Sequence, residues 1–113
     1  MPYLDIRASK KIDAATRNTL QLEIGKIMPI IPGKDVTNTI ICICDCCTMY
    51  KNAEAFEAVF VDIRLYKSSP EESKKEFAKV FTELLEAQLQ IPKANIQMNF
   101  VEMPAWSTNG EYF

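Results

Sequence analysis

Tyr3-Leu4-Asp5-Ile6-Arg7 and Phe60-Val61-Asp62-Ile63-Arg64 write one pattern twice, 57 positions apart: an aromatic, an aliphatic, then Asp-Ile-Arg. Each run alternates with the period of a strand, so Leu4, Ile6 and Ala8 share one face, and Val61, Ile63 and Leu65 share the corresponding one. A helical pattern follows each run. In the first half Asp13 is placed to cap a helix carrying Leu20, Leu22, Ile24 and Ile27, ending before Pro29 and Pro32. In the second half Ser69 is the expected N-cap, with Pro70 at the first helical position and Glu71 and Glu72 in the first turn. The stripe Phe77, Val80, Phe81, Leu84, Leu85 and Leu89 has helical spacing and should stop before Pro92. Further strands are expected over residues 39–44 and 95–101, where Ile41, Ile43 and Asp45 match Met98, Phe100 and Glu102 in the repeat register.

The chain therefore reads as β-α-β twice, with a tail over residues 103–113. Each crossover makes its two strands parallel. Two units side by side give an α+β sandwich: a four-stranded mixed sheet with both helices on one face. At 113 residues this is a single domain, 1–113. The other sheet face is left bare. It carries Asp5, Arg7, Asp62 and Arg64, so it should be partly wet, and together with unpaired edges it suggests a second copy of the chain as partner.

Composition narrows the function. Thirteen basic and fifteen acidic residues give a net charge of -2 with scattered lysines, which speaks against nucleic acid as partner. There is no histidine, hence neither the commonest general base nor the commonest metal ligand. Cys42, Cys44, Cys46 and Cys47 remain. On one extended strand the first three would share a face, but their spacing matches no usual zinc site, and no metal is expected. They read as small, buried apolar residues in a reducing compartment, with metal binding or redox sensing as the alternative. Residues 1–7 lack the apolar core of a signal peptide, and no stretch approaches the roughly 20 apolar residues of a membrane span. The expectation is a protein without a membrane partner, cytoplasmic unless exported by a non-classical route.

A duplicated β-α-β unit that begins Met1-Pro2, carries Gly33-Lys34 before its second strand and ends Trp106-Ser107-Thr108-Asn109-Gly110-Glu111-Tyr112-Phe113 resembles the macrophage migration inhibitory factor (MIF) branch of the tautomerase superfamily. The likeness covers essentially the whole chain. It implies a homotrimer whose sheets form an inner barrel, with active sites between neighbouring subunits. It also implies an isomerase, formally an intramolecular oxidoreductase of the phenylpyruvate tautomerase type. Such an enzyme interconverts keto and enol forms of a small-molecule α-keto acid without a cofactor.

In that chemistry Pro2, exposed once Met1 is removed, is the catalytic general base. A free secondary amine is too basic to be neutral near pH 7; burial and a nearby cation would lower its pKa. Lys34 is the candidate cation and the residue matching the family's carboxylate contact, while Tyr3, Trp106 and Phe113 could supply the apolar surroundings. Leu65 and Tyr66 fall where a backbone N–H of the family meets the substrate. Asn99 matches an asparagine contributed by the adjacent subunit, and Trp106 and Phe113 match pocket walls. Gln97 stands where the mammalian relatives carry tyrosine, Thr108 where the tail usually has an aromatic, and Ser107 where glycine is usual. These changes make the outer pocket more polar. Ala58 and Val61 replace the cytokine's Cys-x-x-Cys pair, so no thiol-redox activity carries over. The alternative implied by the same resemblance is a MIF-like signalling mimic with weak or residual tautomerase activity.

Overall fold

Alternation of apolar and polar residues along Pro2–Ala8 produces the first strand, β1, whose even-numbered side chains are buried while Tyr3, Asp5 and Arg7 are not. The computed structural model describes all residues, 1–113. Asp13 then caps helix α1 (Ala14–Ile27), its carboxylate accepting the Thr16 N–H at 2.8 Å. Leu20 and Ile24 of α1 are buried, whereas Leu22 points outward. Pro29 ends the helix in a single 3-10 turn, and a second such turn, capped by Asp35, precedes β2 (Ile40–Cys44). A two-residue ribbon, β3 (Tyr50–Lys51) and β4 (Glu54–Ala55), leads to β5 (Val59–Tyr66). Helix α2 (Glu71–Leu89), β6 (Ile96–Met103) and a small hairpin of β7 (Ser107–Thr108) and β8 (Glu111–Tyr112) complete the chain. No helix is long and apolar enough to cross a membrane.

The sheet order is β2-β1-β5-β6. β1 runs parallel to β2, β5 parallel to β6, and the two halves join through the antiparallel pair β1–β5. This is the mixed sheet expected from the repeat. On the helix side two rows cross it, Ile41–Leu4–Ile63–Phe100 and Ile43–Ile6–Val61–Met98. Leu20, Ile24 and Met28 cover these rows from one half, and Phe77, Phe81 and Leu85 from the other; all six are fully buried. Phe77 meets Phe81 and Phe100 edge-on, with ring centroids 5.3 and 6.2 Å apart. The far face carries the rows Cys44–Arg7–Phe60–Gln97, Cys42–Asp5–Asp62–Asn99 and Ile40–Tyr3–Arg64–Val101. Ile40, Phe60 and Val101 are exposed there, so the bare face is apolar as well as charged.

Two expectations are corrected. Ser69 does not cap α2: Pro70 occupies the N-cap position and the helix starts at Glu71. The Ser69 N–H is taken instead by the Glu102 carboxylate at 2.6 Å, whose other oxygen accepts from Lys74 at 3.1 Å. The first half does the same, one repeat earlier. Asp45 accepts the Ile12 N–H at 2.8 Å and pairs with Arg17 at 2.9 Å. Carboxylate, N–H donor and cation are each separated from their counterparts by the same 57 positions. The cysteines also differ from expectation. Cys46 has φ 57° and lies beyond the end of β2, so it shares no face with Cys42 and Cys44. None of the four is buried in the single chain.

The two strand-end carboxylates make stability acid-sensitive. The Ile12 N–H, and then Arg17, hold Asp45 below the usual carboxylate value; the Ser69 N–H, and then Lys74, do so for Glu102. A depressed folded value contributes stability that is present above the ordinary pKa of about 4 and is lost as pH falls through the folded value. An Asp45→Asn/Glu102→Gln protein should therefore unfold at lower urea than the parent at neutral pH, with the gap closing on acidification. Urea titrations across that range check it; a gap independent of pH would assign the loss to packing instead.

Candidate active site at the amino terminus

Antiparallel pairing sets Pro2, the first residue of β1, opposite Leu65 near the end of β5. Pro2 and Leu65 are both buried, and at this end of the sheet the pair is flanked by Tyr66. The proline costs no ladder bond at a strand start. Gly33, at φ +79° with open space around its Cα, turns the chain after the first 3-10 turn and delivers Lys34 back across the sheet end. The Lys34 ammonium then donates to the Tyr66 carbonyl at 3.4 Å.

Lys34 also lies beside the free amino group, which belongs to Met1 in the unprocessed chain. That amine is held below its ordinary value, first by partial burial, then by the charge of Lys34 and by a hydrogen bond with it. All three act against the protonated form. The local arrangement thus disfavours the protonated form of an amino group beside the Lys34 ammonium.

The carboxyl-terminal hairpin closes over the same corner. Trp106 and Phe113 exchange two backbone hydrogen bonds, 2.7 and 2.9 Å, and the Phe113 ring stands edge-on to Tyr66 with centroids 5.3 Å apart. Trp106 lines a cavity of about 420 Å³ with Tyr3, Ile40, Arg64, Met103 and Ser107. Pro2, Lys34, Leu65, Tyr66 and Phe113 are therefore gathered at one end of the sheet, with Trp106 adjoining. Lys67 was not anticipated: its ammonium sits 5.1 Å from the Tyr66 ring centroid, within range of a cation–π contact. The one sequence signal for it is its place directly after the aromatic at the strand end.

Gln97 and Asn99 are not brought to this corner within one chain. Asn99 lies beside Asp62, three residues down β5 from Leu65, and its Oδ1 accepts the Ile63 N–H at 3.2 Å. Gln97 lines a separate cavity of about 590 Å³ with Arg7, Tyr50, Phe56 and Phe60. Ser107 is exposed on β7 and Thr108 follows it, half-buried.

Residues 60–111 match the family model of tautomerase enzymes. No curated protein sequence matches the chain. Among solved structures, MIF2 of Leishmania major superposes with a TM-score of 0.91 at 18% identity, covering 100% of this chain and 97% of that one. The MIF homologue of Prochlorococcus marinus gives 0.86 at 21% identity, with 98% of each chain covered. A protein crystallised after inactivation by 2-oxo-3-pentynoate gives 0.80 at 10% identity, covering 89% of this chain and 85% of that one. The family match covers residues 60–111, just under half of the chain, and the solved structures share its fold over nearly its whole length.

Lys34 is one of two causes acting on the terminal amine, and burial is the larger. Lys34→Met should raise the amine's pKa part of the way to its ordinary value. Titration of the amine by pH-dependent acylation checks this, and an unchanged value would remove Lys34 from the amine's surroundings.

Proposed function

We propose that the protein is a cofactor-free keto–enol tautomerase of phenylpyruvate-like α-keto acids, with the Pro2 amine as general base once Met1 has been removed. The observation that carries this reading is the amino terminus itself: partly buried, and held beside the Lys34 ammonium with its pKa lowered. Removing Met1 puts a secondary amine one residue further into the same corner, under the same two influences. A neutral Pro2 nitrogen takes a proton from the carbon next to the substrate carbonyl, and the electron pair moves to the carbonyl oxygen as the enolate forms. The proton returns to that oxygen, so atoms and charge balance with no external acceptor. Lys34 binds the substrate carboxylate as a point charge. The Tyr66 and Phe113 rings, with Trp106 beside them, wall the apolar end, and the Leu65–Tyr66 backbone contributes polar contacts. The inactivation of a structurally similar protein by 2-oxo-3-pentynoate, itself an α-keto acid, supports this substrate class.

The same reading makes the protein a homotrimer with its sites between subunits. Gln97 and Asn99 lie away from Pro2 in their own chain and would complete the site of a neighbour. The exposed Ile40, Phe60 and Val101 on the bare sheet face give the association an apolar surface to bury. A solution mass three times the 12.9 kDa chain is expected by light scattering; a monomer would overturn this part.

Untagged protein whose intact mass shows Met1 absent should ketonise enolic phenylpyruvate. Pro2→Gly should lower kcat/KM by roughly 10²- to 10⁴-fold, the usual worth of a positioned base. The base must be neutral, so the parent's activity should fall as pH drops through the amine's lowered pKa. Equal rates for parent and variant would overturn the assignment of Pro2.

A further inference from the structure

On the bare sheet face, Cys42 and Cys44 of β2 point to the same side, with their sulfurs 3.8 Å apart. Asp5 of β1 is the register partner of Cys42, and one of its oxygens lies with both sulfurs in a group whose members are all within 4.8 Å of one another. Two thiolates bound tetrahedrally at about 2.3 Å from one zinc ion must lie about 3.8 Å apart. The sulfurs have that separation already. A carboxylate oxygen in the same shell would stand about 3.6 Å from each sulfur, inside the 4.8 Å that bounds the group.

The surroundings fit a cation too. The Asp5 Oδ1 atom is shielded from solvent and has no hydrogen-bond partner, a cost that a bound cation would remove. Its other oxygen faces the Arg7 guanidinium at 3.4 Å. Two thiolates and one carboxylate around Zn²⁺ leave one negative charge, which Arg7 offsets.

We propose that Asp5, Cys42 and Cys44 form a binding site for one zinc-type divalent cation, with an exchangeable water as fourth ligand. Binding exchanges two thiol protons for the metal. The mixed sulfur and oxygen donor set favours Zn²⁺ over Cu⁺, which prefers sulfur alone, and over Mg²⁺ or Ca²⁺, which prefer oxygen alone. A Cys-x-Cys pair is not a usual zinc spacing, and the third ligand comes from the neighbouring strand, joined to the pair only by the fold. Cys46 and Cys47 take no part. Cys46 is exposed beyond the strand end, and the Cys47 sulfur lies 3.8 Å from the Asp45 carbonyl. Asp5 and Pro2 project from opposite faces of β1.

Reduced, chelator-stripped full-length protein should bind one Zn²⁺ per chain by calorimetry. With Co²⁺ as a spectroscopic substitute it should show thiolate-to-metal charge-transfer absorption. Cys42→Ser, Cys44→Ser and Asp5→Asn should each weaken binding by at least the roughly 10- to 100-fold that even supporting residues contribute to a metal site. Cys46→Ser and Cys47→Ser should leave it unchanged. Circular dichroism of each variant shows whether it folds, and Asp5→Asn keeps the test open should a cysteine variant not fold. Absence of saturable binding by the parent, or binding retained in a folded Cys42→Ser/Cys44→Ser protein, would overturn the proposal.

Discussion

The antiparallel ladder between β1 and β5 is the contact on which everything else in the molecule is arranged. It runs from Pro2 opposite Leu65 to Ala8 opposite Val59 and joins the halves of the repeat back to back. Because the halves meet through equivalent strands, Asp5 falls opposite Asp62 at the local two-fold, and β2 and β6 become the two edges. Two like charges facing each other across a ladder are unfavourable. Each aspartate is offset by the arginine two residues on, Arg7 at 3.4 Å and Arg64 at 3.5 Å. The same pairing places the amino terminus against the end of β5, and so brings Pro2 within reach of the loop that carries Lys34.

Helices on one side of the sheet are anchored by carboxylates at the ends of the outer strands. Asp45 and Glu102 each take the N–H of a residue leading into a helix and the cation of a residue in its first turns, Arg17 or Lys74. The repeat register had already matched Asp45 with Glu102. It did not say what they hold, since both partners come from another element. Ser69 shows the limit well: a serine before Pro70-Glu71 satisfies the rules for a cap, yet a carboxylate 33 residues later competes for its backbone.

The fold was legible because periodicity and repetition reinforced each other, so strand faces, helix stripes and sheet composition followed from the residues. The site was legible only in part. Pro2 and Lys34 are weak signals alone, and it is the β1–β5 ladder and the turn at Gly33 that set Lys34 beside the amino terminus. Lys67 escaped notice because a lysine after a strand has no signature until the Tyr66 ring is seen below it. Cys42 and Cys44 were read from one strand, whereas their polar neighbour Asp5 comes from the next.

The registers also bear on how the chain assembles. β1 meets β2 with an offset of 37 positions, Tyr3 with Ile40, and β5 meets β6 with the same offset, Val59 with Ile96. The central ladder joins residues farther apart, up to the span from Pro2 to Leu65. Loop-closure entropy is therefore equal for the two halves and larger for their union. With entropy neutral between the halves, priority falls to local structure, and the 19 residues of α2 outweigh the 14 of α1. The carboxyl-terminal half thus carries the larger share of local helical structure, while the union of the halves is the costlier closure.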